Sequence, residues 1–288
     1  AGFGGLQWTV DAYLLTLSAL LLIGGALGDQ FGRRRVFAVG LAWFAIASGL
    51  CALAPSIGIL VGARAVQGVG AALLVPNSLA ILRNAFDGRE RDLAIGAWAG
   101  LSGVTTAFGP LLGGWLVEAV SWRAIFFINL PIAAVALSVT RRFVPDCGGG
   151  GGGWGRLDLA GAAAIATALG GLTYGLIEVP RSAGLLAPAS LAVGATAFAT
   201  FLVIEARSQQ PLVPLSIFRS KQFSGANLTT LAVYFALGGT MFLLVLVLQR
   251  AHGYTALQAG AALAPFTVLM FLLSPLAGGQ AVERPGTD

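Results

Sequence analysis

The chain has 288 residues, 57% of them hydrophobic and 10% charged, with 17 basic and 12 acidic side chains. A soluble domain carries about 25% charged residues. So few charges and a mean hydropathy of +0.84 exclude a soluble fold and identify a polytopic membrane protein, whose partner is the lipid bilayer. The net charge of +5 fits basic residues gathered in cytoplasmic loops better than a nucleic-acid surface, so no nucleic-acid partner is expected. Two cysteines, Cys51 and Cys147, a single histidine, His252, and no metal-ligand spacing leave no expected metal or other cofactor.

A helix needs about 20 apolar residues to cross the hydrocarbon core. The charge-free runs place nine helices near 7–27, 36–54, 57–82, 94–118, 124–143, 157–178, 184–205, 223–249 and 256–281. Barrel strands would be about 10 residues long and strictly alternating, which these runs are not. The expected fold is therefore an all-α membrane bundle. Alternating spans put thirteen basic residues on one side, among them Arg33, Arg83, Arg141, Arg207 and Lys221, and three on the other, Arg123, Arg181 and Arg250. That bias places the first group in the cytoplasm and Ala1 outside. One lysine against sixteen arginines suggests a high-GC coding bias and hence a bacterial inner membrane. Both ends look cut, so the chain is expected to be part of a longer protein.

The first span ends in Gly24-Gly25-Ala26-Leu27-Gly28-Asp29-Gln30-Phe31-Gly32-Arg33-Arg34-Arg35. Gly28 and Gly32 permit a tight reversal between two helices. Asp29 is placed to accept hydrogen bonds from amides at a neighbouring helix N-terminus, while the arginines anchor the loop in the cytoplasm. Between the third and fourth spans, Asp87, Glu90 and Asp92 alternate with Arg83, Arg89 and Arg91. This reads as a salt-bridged connection rather than the acidic cluster of a membrane enzyme. Six consecutive glycines, 148–153, mark a flexible linker. Trp8, Trp115, Trp122 and Trp154 lie near span ends, where interfacial anchoring is expected.

Arg64 stands about seven residues into the third span, roughly 10 Å deep at 1.5 Å per residue. A charge inside a span is a functional hypothesis by default. Asp11 lies at similar depth, about 6 Å, so an ion pair with Arg64, snorkelling to the interface or another partner are all open. Gln67, Gly68, Ala71, Val75 and Ser78 follow Arg64 at helical spacing, a small and partly polar stripe suited to a cavity wall. Asn129, Asn227 and Tyr234 are further candidates for a substrate cavity.

Three of these segments carry a resemblance. Gly25 to Arg35, with Gly28, Asp29, Gly32, Arg33, Arg34 and Arg35, is similar to motif A of the major facilitator superfamily. Arg64, Gln67, Gly68 and Gly70 resemble its motif B, and Gly109, Pro110, Gly113 and Gly114 its motif C, the antiporter signature. The flanking Gln7–Tyr13 and Trp122–Pro131 resemble the fourteen-span drug:proton antiporters. The motif C match departs at Thr105, where a glycine is usual, although Gly96, Gly100 and Gly103 keep a small face for helix packing.

The resemblance implies a secondary transporter, not an enzyme. It implies proton-coupled export of drugs or other small hydrophobic or cationic compounds, with a specific metabolite as the alternative substrate class. It makes motif A a conformational latch and assigns proton coupling to Arg64, with Asp11 as a candidate proton carrier. The proton gradient would be the energy source, and a monomer is the expected state. It divides the chain into 1–143, most of a first six-helix bundle; 144–156, a cytoplasmic linker; 157–206, two inserted spans; and 207–288, the start of a second bundle. Pro275–Gly279 would then stand where the second bundle repeats motif A, in degenerate form.

Overall fold

A computed structural model describes residues 3–145, 158–180, 184–208, 211, 213–266 and 268–269, and every regular element among them is helical. In chain order these are α1 (Phe3–Phe31), α2 (Arg33–Leu53), α3 (Ile57–Ala85), α4 (Gly88–Ala119), α5 (Ala124–Phe127), α6 (Asn129–Phe143), α7 (Leu159–Glu178), α8 (Leu186–Arg207), α9 (Lys221–Arg250) and α10 (Ala256–Ala262). A 3₁₀ turn, Leu215–Arg219, precedes α9. Among the described residues, seven helical segments are long and apolar enough to cross a membrane, with α5 and α6 together making one. They coincide with seven of the nine expected spans. The fourth expected span is α4, 32 residues long, and the ninth begins at α10. The glycine linker, Cys147, Trp154 and Pro275–Gly279 lie outside the described residues.

The helices outrun their apolar cores. Hydropathy marks where hydrocarbon ends, whereas a helix ends where the backbone must turn. α1 continues past Asp29 until Gly32, whose φ of +95° is open only to glycine at low cost. Gly88, at φ +51°, lies at the joint between α3 and α4. Gly28 has a different role from the expected one. It lies inside α1, and the side-chain oxygen of Asn77 occupies the space a Cβ there would need. The fifth span is broken at Ile128: Pro131 has no N–H to give the carbonyl of Phe127.

The described chain divides into two compact units, Ala1–Ala85 with Phe126–Ser224, and Phe86–Ile125 with Gly225–Asp288. In the first, α3 is packed between α1 and α2, α6 packs on α2, and the α7–α8 hairpin packs on α1 through α7. Buried small residues make these seams: Ala47, Cys51 and Ala52 on α2; Ala63, Ala71 and Ala72 on α3; Ala168 on α7; Ala187 on α8. Backbones that close together gain dispersion contacts, which drive helix association where lipid removes the hydrophobic effect. In the second unit α4 packs against α10, and α9 carries no buried residue.

Trp8 corrects the expectation of a simple interfacial anchor. Its indole N–H donates to Glu178 at 2.9 Å, and its ring lies 5.8 Å from that of Tyr174, tying α1 to α7. Trp115 and Trp122 are exposed. Arg91 pairs with Asp87 at 2.9 Å, so the connection between α3 and α4 does contain a salt bridge.

Candidate functional site

Arg64 lies on the α1 side of α3. Its Nε donates to the main-chain oxygen of Thr9 at 3.0 Å, and Nη1 donates to Gln67 Oε1 at 2.5 Å. The guanidinium lies 4.2 Å from the centroid of the Tyr13 ring and 5.9 Å from that of Phe126. Thr9 and Tyr13 are one helical turn apart on α1, so both reach the same face of α3. Gly68, four residues on from Arg64, brings α3 against the Tyr13 carbonyl. A Cβ at Gly68 would stand 2.6 Å from that oxygen.

The opposite side of Gln67 faces α2. Its Nε2 donates to Ser48 Oγ at 2.6 Å, and Asn129 Nδ2, at the start of α6, donates to the same hydroxyl at 3.4 Å. The Cys51 thiol lies 3.8 Å from Gln67 Oε1. Ser48, Gln67 and Cys51 are fully buried. Four helices thus converge on one polar cluster, with the charge at its edge and amide and hydroxyl groups behind it. Every polar group in such a cluster needs a partner, because a lone one costs about 1–3 kcal/mol. Gly70, two residues past Gly68, faces the other way, and a Cβ there would stand 2.8 Å from the Phe44 amide nitrogen.

This arrangement bears on the expected cavity residues. Gln67, Gly68 and Ala71 are buried in helix seams rather than lining a cavity, since small side chains here bring backbones together. Asn129 joins the cluster behind Arg64. Asn227 and Tyr234 are exposed on α9 in the other unit. Asp11 is half-buried on α1 and, two residues from both Thr9 and Tyr13, lies on a different face of that helix.

Motif A is built on the α1–α3 seam. Pro76 cannot donate to the carbonyl of Ala72, and that freed oxygen fills the space where Gly24 lacks a Cβ. Asn77 closes the gap, its Nδ2 donating to the carbonyls of Gly24 at 2.9 Å and of Leu73 at 2.8 Å. Gly25 is looser, with Pro76 Cβ 3.6 Å from where its own Cβ would be. Asp29 forms an ion pair with Arg33 across Gly32, instead of capping free amides. Arg34 donates to the main-chain oxygen of Arg141 at 2.6 Å, placing a cation at the C-terminus of α6 where the helix dipole favours it; Arg35 extends the same basic run.

In the second unit, α4 runs unbroken through Pro110. A Cβ at Gly114 would stand 2.8 Å from the Ala256 oxygen, and one at Gly260 would stand 2.5 Å from the Pro110 oxygen. Part of motif C therefore packs on α10. Among the described residues nothing closely approaches Gly109 or Gly113.

Comparison with known proteins agrees with the three motifs. A model described as Major Facilitator Superfamily matches residues 2–287. The methylenomycin A resistance protein of Bacillus subtilis is 39% identical over 284 residues, covering 97% of this chain and 60% of that protein. The tetracenomycin C resistance and export protein of Streptomyces glaucescens is 36% identical over 285 residues, covering 96% and 52%. The multidrug efflux pump LfrA of Mycolicibacterium smegmatis is 35% identical over 284 residues, covering 98% and 56%. The chain thus spans between half and two thirds of the length of these curated relatives. With several membrane-length helices and bacterial relatives throughout, it is a multi-pass protein of the bacterial cell membrane, and it belongs to the Major Facilitator Superfamily.

Proposed function

We propose that this chain supplies spans two to ten of a fourteen-span, proton-coupled antiporter that exports small hydrophobic or cationic compounds. The observation that carries the reading is the Arg64 cluster. A guanidinium stays charged at any physiological pH. Its role would therefore be to bias a nearby proton-carrying carboxylate rather than to titrate itself. Holding it through one main-chain oxygen, one aromatic face and one amide keeps the charge satisfied. Asp11 is a candidate for that carboxylate. The relatives described as multidrug transporters support a broad substrate range. The proton gradient would drive the cycle without a bound cofactor, and a single copy would suffice.

A second reading is export of one specific metabolite. It is favoured by the two relatives named for a single antibiotic each, methylenomycin A and tetracenomycin C. Efflux from inside-out vesicles separates the two readings. Transport of several unrelated cationic dyes under an imposed proton gradient supports the first; transport confined to one compound supports the second.

A further inference from the structure

Arg64 takes the acceptor for its Nε from the main chain, the Thr9 oxygen at 3.0 Å. A side-chain acceptor can turn toward its donor, whereas a main-chain oxygen inside a helix moves only when the helix moves. The placement of α1 therefore sets this bond, and with it the guanidinium that lies 4.2 Å from the Tyr13 ring centroid. α1 is held on two of its faces. Toward α3, Gly68 lets that helix close on the Tyr13 oxygen. Toward α7, the contact is made by Trp8, the residue next to Thr9. Its indole N–H donates to Glu178 Oε1 at 2.9 Å, and its ring lies 5.8 Å from that of Tyr174. At about 3.6 residues per turn, Trp8 stands about 140° round the helix from Tyr13. The grip of α7 is thus on a different face of α1 from the one that meets Arg64.

We infer that Trp8 is a positioning residue for Arg64, and that the α7–α8 hairpin serves the transport site by holding Trp8 in place. The contacts run without a gap. Glu178 holds Trp8, one peptide joins Trp8 to Thr9, and the Thr9 oxygen holds Arg64. Arg64 Nη1 then donates to Gln67 Oε1 at 2.5 Å, and Gln67 Nε2 donates to Ser48 on α2 at 2.6 Å. Tyr174 and Glu178 are one turn apart on α7, so a single face of that helix presents both to the indole. Tryptophan suits the task, because it offers a large rigid ring and one N–H that needs a partner when covered.

The hairpin is firm enough to act as a support. A Cβ on Gly171 would stand 2.7 Å from the Ser190 oxygen, and one on Gly194 would stand 2.6 Å from the Leu172 nitrogen, so α7 and α8 meet backbone to backbone. Glu178 acts here as a hydrogen-bond acceptor, a role that an amide oxygen fills as well. Without the tether, α1 keeps its glycine seam with α3 but loses its hold on the α7 side, and the Thr9 oxygen drifts from Nε. The inference deepens the export reading and rests on it for what Arg64 does in transport; the chain of contacts does not depend on it. Coupling of this kind is established only when a change at one end is felt at the other.

The test uses the full-length transporter with Cys51 as its only cysteine, every other one changed to serine. Cys51 is fully buried and lies 3.8 Å from Gln67 Oε1, so its rate of maleimide labelling in micelles reads the far side of the Arg64 cluster without reference to transport. Gradient-driven efflux from vesicles is measured alongside. Trp8→Phe keeps a ring and removes the N–H, Glu178→Ala removes the acceptor, and Glu178→Gln keeps one. Trp8→Phe and Glu178→Ala should each speed labelling several-fold and lower maximal efflux several-fold. The double variant should be no worse than either single one, and Glu178→Gln should stay close to wild type in both measurements. If Glu178→Ala does not accumulate, Trp8→Phe and Glu178→Gln carry the test. Wild-type labelling in Trp8→Phe would overturn the inference, and so would labelling of Glu178→Gln as fast as that of Trp8→Phe. Faster labelling in Trp8→Phe, with wild-type efflux in Arg64→Ala, would uphold the positioning of Arg64 and overturn its role in proton coupling.

Discussion

Arg64 and Gln67, one helical turn apart on α3, are joined by a 2.5 Å hydrogen bond in which the guanidinium donates to the side-chain carbonyl. The bond fixes which way the amide faces: its oxygen is turned to Arg64 on the α1 side and its nitrogen to Ser48 on the α2 side. Gln67 is therefore a relay between two helix seams, and a half-buried charge held against one is supported from the other.

Removing that relay should be measurable. A double-mutant cycle over Gln67→Ala and Ser48→Ala, read by thermal unfolding in micelles, is expected to give a coupling energy of about 0.6 kcal/mol, the average for interhelical hydrogen bonds in membranes, and up to about 1.7 kcal/mol. Cys51, fully buried beside Gln67, reports the same seam. With Cys147 replaced by serine, maleimide labelling should be slow in the parent and faster in Gln67→Ala. Additive single effects with no change in labelling would contradict the relay.

Two glycines one turn apart in motif A should answer differently to alanine. Gly28→Ala drives a methyl into the Asn77 side chain, which is held by two carbonyls, and should destabilise by about 1–3 kcal/mol. Gly25→Ala meets Pro76 at ordinary contact distance and should be near neutral. Adding Asn77→Ala to Gly28→Ala should recover part of the loss. Equal unfolding midpoints for the two single variants would show that the Gly28–Asn77 contact does not limit packing.

Asp29→Asn separates folding from transport. The carboxylate is largely exposed, and its pairing with Arg33 is worth about 0–1 kcal/mol as a surface ion pair, so the unfolding midpoint should barely change. If motif A latches one conformation of the transporter, efflux by the full-length protein should fall several-fold. Unchanged efflux would reduce Asp29 and its arginines to a topological anchor.

The hydropathy runs located the membrane helices because chain length against bilayer thickness decides that question almost alone. They said little about which partner each polar residue meets. Gly28 looks like a turn glycine in a Gly-x-x-x-Gly spacing, and only the position of Asn77 on another helix shows that it serves close approach. Trp8 near a span end reads as an anchor until Glu178, 170 residues away, is beside it. The main acceptor for Arg64 Nε is a backbone oxygen, which no side-chain pattern reveals. The three motifs, by contrast, fall on the α1–α3 seam, the Arg64 cluster and part of the α4–α10 contact, because each depends on glycines or a half-buried charge that few other settings require.

The central claim is that Arg64 couples a proton to export. It is tested most directly by proton-driven efflux from vesicles carrying the full-length transporter as wild type, Arg64→Lys and Arg64→Ala, at matched expression and across a range of pH. Lysine keeps the charge but lacks the planar fork that reaches both Thr9 and Gln67. The account predicts loss of gradient-driven efflux in Arg64→Ala, and partial activity with an altered pH profile in Arg64→Lys. Wild-type efflux with an unchanged pH profile in Arg64→Ala would contradict it.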